Sequence, residues 1–379
     1  MDSYLGSAER RRILRAGAGS VLGALAGGLL GSSRAATAQP LTGPVPEVDR
    51  VAIRVVTDSY LHLFEQSRKI GDVQVQRVGQ ILPKDKSNPR VLLNEWGLSL
   101  HLESAQGAET RQVLIDFGWS PQTLLYNMDI LRIDPAQFDA LILSHGHYDH
   151  FGGLVGFLQA NRAKLKPGLP FYLGGEECFC TREAGIGDAS GNFGYLDRRA
   201  IDDAGLKLLF AERPTVIGGH AFTTGMIPRE SFERVLSPTR MTVGIRDGVG
   251  CFPDQLAPEK RNMTVAPDDF QHEQATAFNV KGKGLVVMTS CGHRGVVNSA
   301  RTAMKISGVT KVHAILGGFH LAPHPPDYQR QTALAIKELN PDYLIPMHCS
   351  GEVFISIAMQ EMGDKVIRSS TGTRFVFGA

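Results

Sequence analysis

The sequence predicts an α/β protein with a metal site at one sheet edge, and three observations carry that expectation. Apolar runs of strand length recur at Leu285–Thr289, Lys311–Leu316 and Asp342–Pro346, with helix-like stretches at 297–306 and 327–338 between them. Such alternation marks repeated strand–helix units laid into layers. Glycine accounts for 42 of 379 residues, which supplies the tight turns that strand-rich layers need. The third observation is the run Ala140–Leu143, which ends in Ser144-His145-Gly146-His147-Tyr148-Asp149-His150.

Taken in chain order, Glu9-Arg10-Arg11-Arg12-Ile13-Leu14-Arg15 opens a twin-arginine signal that covers residues 1–38. A Gly- and Ala-rich stretch from Ala16 to Leu30 follows, then Ala36-Thr37-Ala38 as a small-x-small cleavage signature. The stretch is too short and too glycine-rich to span a membrane, which takes roughly 20 strongly apolar residues. The expected location is therefore periplasmic or secreted. The Tat translocase is the partner during export, and no membrane association is expected after the signal is cleaved. Because that route carries folded chains, a metal can be loaded in the cytoplasm first. Residues 39–50 read as a Pro-rich linker, and one domain occupies 51–379.

Within the domain, strands are expected at 51–56, 98–103 and 112–116. A helix is expected at 121–131, where Pro stands at its first position, and another at 153–161. Residues from about 162 to 275 are irregular and rich in Gly and Pro, and read as an insertion that walls a cleft. A composition of 42% hydrophobic and 21% charged residues is that of an ordinary globular domain. The formal charge of +2, without a clustered basic face, points away from a nucleic-acid partner and toward a small-molecule substrate. The five cysteines, Cys178, Cys180, Cys251, Cys291 and Cys349, lack a zinc-finger spacing. Cys178 and Cys180 are too close for an easy mutual bridge, so the set does not read as a disulfide framework, although export permits disulfides.

His145, His147, Asp149 and His150 place four metal-ligand types within six residues of a buried strand. Alternation along an extended chain would put the first three on one side. So many polar groups at a strand end need a partner, and their chemistry suits zinc, iron or manganese. The three C-terminal strands also end in histidine-bearing loops: Cys291-Gly292-His293-Arg294, Gly317-Gly318-Phe319-His320 and Met347-His348-Cys349. Functional groups of α/β layers gather at strand ends, so His293, His320 and His348 read as partners of the first cluster.

Ser144-His145-x-His147-x-Asp149-His150, with the upstream Leu114-Ile115-Asp116-Phe117-Gly118, resembles the metallo-β-lactamase superfamily. Four further segments are similar to the branch that includes the archaeal dihydropterin–ribofuranosylaminobenzene phosphate synthase: 94–99, 224–229, 284–293 and 348–351. The resemblance spans roughly 51–376 and implies an αββα four-layer sandwich with a dinuclear site at one edge. By the same resemblance His145 and His147 match the first metal's pair, with His293 as the middle histidine. Asp149 and His150 match the second metal's pair, which His348 completes. Superfamily hydrolases usually add a bridging aspartate; here Cys291 stands nearby, a possible metal ligand, or solvent alone bridges the ions. His320 is an extra candidate, as a ligand or as a catalytic acid. Asp116 is expected behind the ligands, fixing an imidazole.

The implied cofactors are two divalent metal ions, zinc first, with iron or manganese as alternatives. The implied chemistry is that of a metallohydrolase or cyclising synthase acting on a small phosphorylated or lactone-like substrate through metal-activated water. Asp149 and His320 are the expected catalytic groups. Arg229 and Arg294 are candidate anion clamps, since guanidinium forks match phosphate and carboxylate. The alternatives are a nuclease or phosphodiesterase of the same superfamily, which needs a basic groove, and a non-catalytic metal- or ligand-binding protein.

Overall fold

The computed structural model describes residues 34–185, 191–236 and 239–378, so most of the twin-arginine segment lies outside the described residues. A ten-stranded and a seven-stranded sheet form its frame. At the centre of the first, Arg50–Thr57, Ser99–Gln106 and Glu109–Ile115 pair antiparallel. Beyond them Ala140–Ile142, Pro170–Leu173 and Lys207–Phe210 continue in parallel. In the second sheet Gly284–Thr289, Val312–Gly317 and Tyr343–Pro346 run parallel.

The period-two alternation of a strand explains why the sheets pack face to face. On Glu109–Ile115, Val113 and Ile115 enter the inter-sheet core while Leu114 faces the other way. Ala140 and Ile142 likewise point inward and Leu141 outward. From the second sheet Val286, Met288, Ala314, Leu316 and Ile345 meet them across the same core. Each outer face is covered by helices. Leu124 and Met128 of Pro121–Leu131, with Leu154, Phe157 and Leu158 of Leu154–Asn161, cover the first sheet. Val296–Ser307, Pro326–Glu338 and Glu352–Met362 cover the second through Val297, Ala300, Ala333, Ile336, Phe354 and Ala358. The result is the αββα sandwich.

Helix Pro121–Leu131 follows from local rules. Ser120 caps it by accepting from the Thr123 amide, Pro sits at its start, and Arg132 ends it in the left-handed region. The region from 162 to 275 is more regular than its composition suggests. It contributes Pro170–Leu173 and Lys207–Phe210 to the first sheet and Thr215–Ile217 and Ala221–Thr223 to the second. The remainder builds a small sheet from Thr181–Ala184, Thr239–Thr242 and Val265–Pro267 that stands beside the sheet edge. Cys180 and Cys251 are joined by a disulfide across 71 residues, a pairing that the cysteine spacings did not reveal. The Pro-rich linker 39–50 is tied to the second sheet where Glu47–Val48 pairs with Thr276–Val280, while Ala36–Thr37, inside the expected signal segment, pairs with Lys207–Phe210 of the first.

Candidate metal centre

The strands Glu109–Ile115, Ala140–Ile142, Gly284–Thr289, Val312–Gly317 and Tyr343–Pro346 deliver Asp116, the 145–150 cluster, Cys291 and His293, His320, and His348 to one edge. Three of these residues sit in left-handed backbone: Asp116 at φ 60°, His320 at φ 46° and His348 at φ 50°. Non-glycine residues in that region are uncommon, and such conformations gather where a fold must aim a side chain.

The cluster reaches its geometry differently from the strand alternation expected of it. The strand ends at Ile142, residues 144–147 form a loop, and Tyr148–Phe151 make one helical turn carrying Asp149 and His150. Gly146 is required between the first two histidines. A Cβ there would lie 2.9 Å from the Cys178 backbone and 2.6 Å from the Arg182 guanidinium.

Two triads result. His145, His147 and His293 offer ligand atoms within 4.8 Å of one another, and so do Asp149, His150 and His348. All six residues are buried. His145 Nε2, His150 Nε2, Asp149 Oδ1 and both ring nitrogens of His293 and His348 are buried without a hydrogen-bond partner. Unpartnered polar atoms are costly in an apolar interior, and one such atom from each of these five residues fits divalent cations in nitrogen and oxygen surroundings.

The remaining nitrogens are fixed from behind. Asp116, fully buried, accepts from the Ser144 amide at 2.8 Å and the Ser144 hydroxyl at 2.7 Å, and pairs with His150 Nδ1 at 2.7 Å. This leaves His150 Nε2 for the centre. His147 Nε2 is 2.9 Å from Thr239 Oγ1, which donates to Asp268 Oδ2 at 2.8 Å. The hydroxyl has one proton to give, so His147 Nε2 is the donor and Nδ1 keeps the lone pair. Asp268 is held by the buried Arg182, whose Nε is 2.7 Å away. Burial alone would raise the Asp268 carboxyl, but that guanidinium, with His147 and His272, holds it well below the usual range. Arg182 continues to His272 Nε2 at 3.0 Å, and His272 to Glu177 at 3.3 Å.

Backbone anchors complete the frame. Asp58 accepts from the His348 amide at 2.9 Å, and burial pushes its carboxyl up to about 6. Glu273 accepts from the His293 and Arg294 amides, and burial pushes it up to about 7. Burial would lower the His348 imidazole, but Cys349 and Asp149 raise it to about 9. The Phe270 ring stacks on His293 at 3.7 Å between centroids.

The other expected residues take distinct places. His320 lies with its ring 3.9 Å from that of His293 and Nδ1 3.4 Å from Cys291 Sγ, while Nε2 has no partner. Cys291 Sγ is 3.1 Å from Cys349 Sγ. Arg229 is exposed in a cleft of about 680 Å³ that it shares with Arg240, Thr239 and Asp268. Arg294 is buried beside the centre. Its guanidinium donates to the carbonyls of Ile227 and Asp269, which makes it a brace between loops. Sequence reasoning missed Asp58, Thr239, Arg182, Asp268 and Glu273. Asp58 directly follows the strand Arg50–Thr57, so the strand-end rule that singled out His293 applies to it as well.

The metallo-beta-lactamase superfamily model matches residues 106–170. A solved metal-dependent hydrolase of the beta-lactamase superfamily, Tm1679, superposes with a TM-score of 0.61 at 22% identity, over 86% of this chain and 98% of its own. The chain has the metallo-β-lactamase fold, and its segment 106–170 is similar in sequence to that superfamily. Within it, the chain resembles the 7,8-dihydropterin-6-methyl-4-(beta-D-ribofuranosyl)-aminobenzene-5'-phosphate synthase of Methanocaldococcus jannaschii, at 27% identity over 74% of this chain and 89% of that protein. A second, uncharacterized protein of that archaeon is also 27% identical, over 64% of this chain and 80% of its own length.

Proposed function

We propose that this chain is an exported, divalent-metal-dependent enzyme that uses activated water to cleave a small anionic molecule, phosphorylated or lactone-like. The observation that carries the reading is the pair of adjacent buried triads whose ring nitrogens and carboxylate oxygen lack protein partners. His145, His147 and His293 would hold one ion, and Asp149, His150 and His348 the other. When bound, two divalent cations, zinc first, supply Lewis acidity toward an electrophilic oxygen and bring the pKa of water from 15.7 to about 7. Asp149 Oδ1 orients the attacking water, and His320 Nε2 gives the leaving group a proton. Arg229 and Arg240 line the neighbouring cleft, where their charge holds the anionic end of the substrate. A condensing or cyclising synthase at the same centre is the second reading, favoured by the name of the archaeal relative and the 89% of its length that aligns.

Export rests on the twin-arginine pattern in residues 1–38 and on the Cys180–Cys251 disulfide, which suits an oxidising compartment. Cell fractionation should find the protein outside the cytoplasm, and Arg10→Lys with Arg11→Lys should retain it inside. For the chemistry, purified protein should hold about two equivalents of divalent metal by elemental analysis. Its activity on a panel of phosphodiesters, phosphomonoesters and lactones should vanish on chelation and return with the metal. Full activity in verified metal-free protein would end this reading.

A further inference from the structure

We propose that Cys291 is a metal ligand shared by both halves of the centre, so that a thiolate joins the two triads. This inference rests on the two-metal reading above. Cys291 Sγ lies within 4.8 Å of the ligand atoms of His145 and His150, one from each triad. It also groups with His293, from the first triad, and with His348, from the second. His145 Nε2 and His150 Nε2 are the buried, unpartnered atoms that border it.

The local carboxylates are engaged elsewhere. Asp116 is held by Ser144 and His150 Nδ1. Asp268 is held by Arg182 and Thr239. Glu273 accepts the amides of His293 and Arg294, and Asp58 accepts those of Ser59 and His348. Asp149 groups with the second triad.

Charge supports the same assignment. Three neutral imidazoles on one side and a single carboxylate on the other leave two divalent ions poorly compensated in a buried site. A second anion placed between them reduces that deficit. On binding, the Cys291 thiol releases its proton to solvent and sulfur forms bonds to the ions in place of water. A sulfur ligand also biases the centre toward zinc, iron and cobalt and away from magnesium and calcium. Cys349 acts as the neighbour: its Sγ accepts from the His320 amide at 3.2 Å and stands 3.1 Å from Cys291 Sγ.

The test is cobalt(II) substitution of the full-length folded protein under a phosphine reductant, reading metal stoichiometry and the near-ultraviolet sulfur-to-cobalt charge-transfer band. Wild type should bind cobalt and show the band. Cys291→Ser should lose the band and weaken binding about tenfold or more, while Cys349→Ser should keep it. Cys291→Asp should restore binding without the band, which separates ligation from a folding defect. Cobalt uptake without a sulfur band overturns the inference and leaves the two-metal reading intact. So does a band that survives Cys291→Ser and disappears in Cys349→Ser. Wild-type protein that takes up no cobalt overturns both.

Discussion

At the level of single side chains, His147 is aimed by a relay that runs away from the metal edge, through Thr239 and Asp268 to Arg182. Thr239→Val removes the hydrogen bond to His147 without stranding a charge. It should lower metal affinity roughly 10–100-fold and cost about 1–3 kcal/mol of stability, since the buried His147 N–H loses its acceptor, read by chelator competition alongside denaturant unfolding. Asp268→Asn should lower affinity likewise and cost about 3–5 kcal/mol of stability, because it leaves the buried Arg182 unpaired. None of this relay was legible in the sequence. His145, His147, Asp149 and His150 stand out by crowding. Thr239 lies 92 residues from His147, and Asp268 lies 86 from Arg182, each in polar surroundings that read as surface. The surroundings of Arg294 were equally hidden. Its place beside His293 suggests anion binding, and only the fold reveals the carbonyls that occupy its guanidinium.

Among the elements, legibility followed how much each depends on its own residues. Helix Pro121–Leu131 was evident at both ends because cap, proline and apolar face are all local. The parallel strands of the second sheet were evident as unbroken apolar runs, buried on both faces. The short turn Tyr148–Phe151 was not, since four residues carry no helical period. Helix Leu154–Asn161 is held chiefly by its tertiary face: Phe157 is fully buried, with ring centroids 5.7 Å from Phe117 and 6.3 Å from Phe138. Phe157→Ala should lower unfolding free energy by about 3–5 kcal/mol, measured by denaturant titration. Phe117 directly follows Asp116, so metal affinity in this variant should also fall. An unchanged affinity would show that the strand end is held independently of the helix.

Across the whole molecule, two sheets form the rigid frame, and the segment from Cys180 to Cys251, pinned by its disulfide, helps wall the centre. Opening that bond with Cys180→Ser and Cys251→Ser should cost roughly 2–4 kcal/mol, seen as a lower melting temperature. The metal content should stay near that of the parent, because every ligand lies outside the segment. The partners were beyond the reach of the sequence, since 71 residues separate them and five thiols allow several pairings.

The bolted segment also bears on how such an enzyme could change its taste in substrates. With both ends fixed at the rim, the chain between Cys180 and Cys251 lends Lys207–Phe210, Thr215–Ile217 and Ala221–Thr223 to the two sheets, and the loops between them behave as a cassette. Each doubling of loop length costs only about 0.6 kcal/mol, so insertions in these loops, outside the strands lent to the sheets, would leave the frame almost undisturbed. Thr239, through His147, and Arg182, through Asp268, link the segment to the metal edge. Sequence drift in those loops would reshape the mouth of the site, and drift at Thr239 or Arg182 would disturb its chemistry.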